Sequence, residues 1–279
     1  MNASKPVSGL RQRALTAIIL APAGIAAILL LPTAAFAVMM GALFCIGLWE
    51  WARLAGCSTA PMRVGFAALG IALMLLLWWR GVQLLEQVAV VGVIFWAIAP
   101  LWLRFFEFAS TPNQRSIAFK LAAGLCAIVP AWAAGTHLHG NTAQGAAWVL
   151  FVFVLIWCAD VFAYFSGRFI GGRKLSPRIS PGKTWAGVYG GFVGAALYAL
   201  ICGLAIGIRG QSLLVLVVLS AITVSMSVVG DLLESLLKRH AGEKDSGQLF
   251  PGHGGVLDRF DSLFAALPVF TIGKIMWDL

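Results

Sequence analysis

The chain has 279 residues, of which 60% are hydrophobic and 11% charged, and its mean hydropathy is +0.90. Soluble domains carry about 25% charged residues, so a soluble globular protein is excluded and a polytopic membrane protein is indicated. The basic excess, 20 Lys and Arg against 11 Asp and Glu, suits anionic headgroups or an anionic substrate. Nucleic acid is not an expected partner, because the basic residues sit in loops between apolar runs.

A helix needs about 20 apolar residues to cross the hydrocarbon core. The opening "MNASKPVSGLRQR" reads as a cytoplasmic lead-in to a first span, not as a cleaved signal peptide. Apolar runs follow near 14–32, 34–54, 63–80, 86–104, 118–136, 147–166, 187–208, 212–234 and 261–277. They predict an all-α protein of about nine transmembrane helices. The first two runs are separated only by "PTAA" (32–35), a tight turn or a kink within one element. The last run carries Pro268 and Lys274. Loops are short, so residues 1–279 form a single integral-membrane domain. Helices within 14–136 are expected to be mainly scaffold, and 147–279 to carry the chemistry.

Placing the N-terminus in the cytoplasm puts 17 of the 20 Lys and Arg on inside segments. Only Arg80, Arg209 and Lys274 fall outside. That asymmetry obeys the positive-inside rule. The outside segment "GTHLHGN" (135–141) is expected to be an interfacial loop rather than a metal site. The five cysteines, Cys45, Cys57, Cys126, Cys158 and Cys202, have no metal-ligand spacing and read as small core residues.

Two inside loops hold the polar chemistry. In "WCADVFAYFSGRFIGGRKLSPRISPGKTWAG" (157–187), Asp160 lies within an apolar run, a functional candidate by its cost alone. The structural alternative is a helix-end aspartate paired with Arg168 or with a neighbouring helix. Basic Arg168, Arg173, Lys174, Arg178 and Lys183 are interleaved with Gly, Ser and Pro, including Ser180 and Thr184. Small residues let backbone approach a phosphate, and the cations neutralise it. "SPGKTW" is no P-loop, since the upstream glycine is missing. In "GDLLESLLKRHAGEKDSGQLFPGHGGVLDRFDS" (230–262), Asp231, Glu234 and Ser235 share one helical face. Asp258 and Asp261 form a second such pair. Carboxylates with basic neighbours suit magnesium holding a polyphosphate. An internally salt-bridged helix–loop–helix is the alternative. His253, between glycines, is open between general base, phosphate donor and turn packing.

The run 235–262 resembles the signature of the phosphatidate cytidylyltransferases. The matching residues are Ser235, Lys238, Arg239, Lys244, Asp245, Pro251, His253, Gly254, Gly255, Asp258, Arg259 and Asp261. "DVFAYFSGR…LSPRISPGKTW" is similar to the family's second cytoplasmic motif, and "WEWARLAG" (49–56) to its early element. Ala186 departs from the glutamate many members place there, so no role for that carboxylate carries over.

The resemblance implies the reaction CTP + phosphatidate → CDP-diacylglycerol + diphosphate. It implies Mg2+, with K+ as a second cation, held by Asp231 and Asp258. Asp261, Lys238, Arg239, His253 and Arg259 would join these two in catalysis. Asp160, Arg168, Arg178, Ser180, Lys183, Thr184, Ser235, Lys244, Asp245, Gly254 and Gly255 would bind substrate. A homodimer in the bacterial inner membrane is expected, with the site facing the cytoplasm. The rival readings are a CTP-dependent lipid-alcohol kinase, which would release CDP, and an ion-coupled transporter.

Overall fold

A computed structural model describes residues 20–249 and 254–279. The elements run α1 (Leu20–Leu30), α2 (Thr33–Ala55), α3 (Ala60–Arg80), α4 (Val82–Arg104), α5 (Gln114–Gly140), α6 (Gly145–Phe169), β1 (Lys174–Ser176), β2 (Ser180–Thr184), α7 (Trp185–Ala205), α8 (Gly210–Ala241) and α9 (Leu257–Met276). The protein is an all-α polytopic membrane protein, and α2 to α8 are each long and apolar enough to cross a bilayer. The described part of α1 is too short to be counted by itself. The 20 residues of α9 would suffice in length, but Asp258, Arg259, Asp261 and Lys274 lower its apolarity.

α9 can afford those charges because it lies inside the bundle. It packs against α8, α5, α4 and α6, and Leu263 to Val269 are buried without interruption. Phe36, Phe44 and Trp51 of α2, Trp96 of α4 and Phe264 and Phe270 of α9 are fully enclosed. Edge-on contacts of Phe44 with Phe260 and Phe264 tie α2 to the start of α9. Lipid-facing helices show the opposite pattern, with Leu75, Trp79 and Leu101 exposed.

The "PTAA" break is a tight turn. Pro32 lacks an N–H and stands as N-cap of α2. His139 fastens that turn. Its Nε2 donates to the Ile28 carbonyl at 2.9 Å and its Nδ1 accepts from the Thr33 hydroxyl at 3.0 Å. The ring also stacks on Phe36 at 4.3 Å. The expected interfacial loop at 135–141 is therefore the buried last turn of α5. Both histidines are buried, and the α1 carbonyl of Ile28 reaches His139 alone.

The segment expected to be a plain inside loop forms an antiparallel β-hairpin, with Lys174 opposite Thr184 and Ser176 opposite Ser180. Its tip is held down: Ile179 is buried, and Arg239 Nε of α8 donates to its carbonyl at 3.2 Å. Thr184 ends the hairpin and caps α7, its hydroxyl accepting from the Gly187 amide at 3.1 Å. α7 then crosses α6 closely. A Cβ on Gly190 would lie 2.0 Å from Ser166 Oγ, and one on Gly194 2.7 Å from the Phe162 ring.

Candidate active site

α6, α7, α8 and β2 enclose a cavity of about 510 Å³. Asp160 and Arg168 enter it from α6, Lys183 and Thr184 from β2, and Asp231 from α8. Apart from Tyr164, its remaining walls are small or apolar, among them Gly167, Gly187 and Gly191. The hairpin thus delivers Lys183 to the end of two membrane helices, where it pairs with Asp231. Asp160 lies within reach of the charges of Asp231, Lys183 and Arg259. Asp261 feels Asp231, Lys183 and Lys238. Asp231 and Asp261 come together because Gly230 lets α8 approach α9; a Cβ there would stand 2.4 Å from the Asp261 carbonyl. Ser235 Oγ is 3.4 Å from Asp231 Oδ1.

A second polar centre adjoins the first. Lys238 Nζ bridges Glu234 Oε2 at 2.5 Å and Asp258 Oδ1 at 2.7 Å. The other Asp258 oxygen accepts from Ser246 N, Ser246 Oγ and Gly255 N, each at 2.8 Å. Gly254 has φ +83°, and a Cβ on it would strike Asp258 Oδ2 at 2.5 Å. The signature glycines therefore let the backbone fold around a carboxylate.

The two centres together hold five carboxylates, Asp160, Asp231, Glu234, Asp258 and Asp261, against Lys183, Lys238 and Arg259. Glu234 is buried, and its Oε1 has no hydrogen-bond partner. Hard oxygen donors in excess over cations fit magnesium in kind. Among the described residues, however, no three such side chains are already gathered as a ligand set. Lysines lie between the carboxylates instead.

Other predicted residues are placed apart. Arg178 lines a separate recess with Arg104 to Phe108. Ser180 begins β2, half-buried, and does not line the main cavity. Lys244 and Asp245 are exposed on the loop after α8. Arg239 braces the hairpin. Arg259 is exposed on the first turn of α9. His253 lies outside the described residues.

Glu50 was missed by sequence reasoning. It sits on α2, 5% exposed, and inserts its carboxylate beneath the signature loop. It accepts from Ser246 Oγ at 3.0 Å, Val256 N at 3.2 Å and Leu257 N at 2.8 Å. Glu50 thereby satisfies amides at the N-terminus of α9, where negative charge is favoured. A Cβ on Gly247 or Gly255 would come within 2.1 or 2.3 Å of it. Arg53, one turn on, donates to the Asp245 and Ser246 carbonyls at 3.1 and 2.7 Å and pairs with Glu243. A carboxylate inside an apolar run was the available signal.

Comparison with known proteins agrees with this arrangement. A model of the cytidylyltransferase family matches residues 11–275. The phosphatidate cytidylyltransferase of Pseudomonas aeruginosa is 41% identical over 269 residues, covering 96% of this chain and 97% of that protein. That of Haemophilus influenzae is 37% identical over 283 residues, covering 94% and 97%. That of Brucella abortus is 47% identical over 130 residues, covering 46% and 47%.

Proposed function

This chain belongs to the cytidylyltransferase family, and on that premise we propose how its site moves a cytidylyl group. The reaction is transfer from CTP to phosphatidate, giving CDP-diacylglycerol and diphosphate. The observation that carries the mechanism is the collection of Asp160, Lys183, Asp231, Lys238, Asp258 and Asp261 at one end of the bundle.

A phosphate oxygen of phosphatidate attacks the α-phosphorus of CTP. The new P–O bond forms as the bond to the β-phosphate oxygen breaks, and no covalent enzyme intermediate is needed. Two polyanions must be held in line, so positioning and charge dominate catalysis. Lys183 and Arg168 line the cavity and supply cations for the nucleotide phosphates. Lys238 can leave Glu234 and Asp258 for a phosphate oxygen. Asp231 and Asp258 would hold magnesium, with potassium as a second cation. When bound, such a cation offsets repulsion between the anions and the charge on the departing diphosphate.

The site faces the cytoplasm of the inner membrane, with nine spans, an inside N-terminus and an outside C-terminus. The clustering of Arg53, Lys183, Lys238 and Arg239 around the site end supports that orientation. A transporter would place its carboxylates nearer mid-membrane. A homodimer is part of the same proposal.

The deciding experiment incubates purified protein with α-labelled CTP, magnesium and phosphatidate. Labelled CDP-diacylglycerol and free diphosphate are expected. Labelled CDP with no labelled lipid would identify a kinase and overturn the reading.

A further inference from the structure

A second cavity, of about 490 Å³, lies between α1, α2, α6 and α9. Gly24, Ala27, Met40, Leu43, Trp157 and Leu263 are among its walls, and among the described residues Arg259 is its one charged lining residue. The volume is within the usual range for a small-molecule site, about 300–1,000 Å³. The lining on α1 extends from Leu20 to Ile28, a run of about 12 Å at 1.5 Å per residue.

Arg259 sits on the first turn of α9, and Leu263 lies one turn farther along. Trp157 of the slot and Asp160 of the polar cavity lie within one turn of each other on α6, so the two cavities adjoin there. Arg259 thus stands in the slot, on the helix turn that also carries Asp258 and Asp261 of the polar centres. An apolar slot with one cation at its polar end is complementary to an anionic lipid. It offers a neutral lipid nothing at that end, and it would leave a water-soluble anion beside bare hydrocarbon.

We propose that this slot holds an acyl chain of phosphatidate while Arg259 holds its phosphate. The inference rests on the transfer reaction proposed above and adds the path of the lipid. Bilayer hydrocarbon is as apolar as the slot walls, so the chain gains little affinity by entering. What it gains is orientation: the chain fixes the approach of the phosphate to the polar cavity. The slot therefore governs turnover of lipids whose chains are long enough to fill it.

Gly24 makes this testable. A Cβ at that position would meet nothing within 4 Å, so the side chains of Gly24→Leu and Gly24→Phe start in open space at the wall of the slot. With dioleoyl phosphatidate, kcat/KM should fall about tenfold or more, since misplacing a reacting group by about 1 Å can cost 10²-fold. With dihexanoyl phosphatidate the loss should be much smaller, and KM for CTP should not change. A phosphatidate bearing a photoreactive group on its acyl chain should label the segment Met39 to Leu43. Equal losses for both chain lengths, no loss for either, or labelling confined to lipid-facing surfaces would overturn the slot. Absence of any CDP-diacylglycerol from the unaltered protein would overturn the reaction and the inference with it.

Discussion

Asp258 is tied down on both oxygens, to Lys238 on one and to Ser246 and Gly255 on the other. Asp258→Asn keeps the shape but deletes the charge and turns an acceptor into a donor. Turnover should fall by about 10² or more, the range for loss of one preorganised electrostatic partner. The protein should still elute as a folded species in detergent, and near-normal turnover at saturating CTP and magnesium would refute the role. Asp231→Asn should behave similarly, and if the two hold the cation as one unit the double variant should be little worse than either. Lys183 and Arg178 looked equivalent in sequence, but only Lys183 reaches the main cavity. Lys183→Ala should cut kcat/KM about tenfold or more, the lower end for charge-assisted contacts, while Arg178→Ala stays near the parent. A reversed order in steady-state assays would move the nucleotide toward the Arg178 recess. The carboxylates themselves were legible, because each is expensive where it stands. Glu50 was not singled out, since its partners lie about 200 positions away and are backbone amides, which leave no mark on sequence pattern.

At the scale of elements, the helices were readable nearly end to end. Hydrophobic length is set by the bilayer and survives any packing arrangement. What was not readable depended on tertiary contacts. The hairpin forms because Arg239 and the buried Ile179 hold its tip, and α5 runs on through His137 and His139 because α1 satisfies the second ring. The same dependence makes α2 a partner of α9. Glu50→Ala would leave the Val256 and Leu257 amides at the start of α9 without their acceptor, while the Ser246 hydroxyl keeps Asp258. Hydrogen bonds to a charged group contribute about 1.5–3 kcal/mol each. The thermal midpoint in detergent should drop by several degrees, and activity should fall with it. Glu50→Asp should recover less than half of the loss, because the shorter side chain falls short of the amides. Gly255→Ala should resemble Glu50→Ala, as its methyl group would displace the Glu50 carboxylate. Parent-like stability in both would show that the loop holds itself.

The whole molecule turns one polar end toward one side of the membrane, and its orientation can be tested directly. Ser246, on the loop after α8, is fully buried between Glu50 and Asp258 and is closed to a labelling reagent. Gln248 is exposed on the same loop and serves instead. In a background lacking the five native cysteines, Gln248→Cys should react with a membrane-impermeant thiol reagent from the cytoplasmic side alone. Bound CTP should slow the reaction. Labelling from the outside would overturn the orientation and the placement of the site together.

The contact between Glu50 and α9 also sets a schedule for biosynthesis. Glu50 emerges from the ribosome 206 and 207 residues ahead of the amides it will bind. At about 5–20 residues per second that is a wait of roughly 10–40 s. Throughout that interval the nascent chain carries an unmatched carboxylate at the edge of the lipid. A chain ended after Ala241 would never match it and should be cleared faster than the full-length protein in a pulse–chase experiment. Equal lifetimes would mean that the cell does not sense the missing closure.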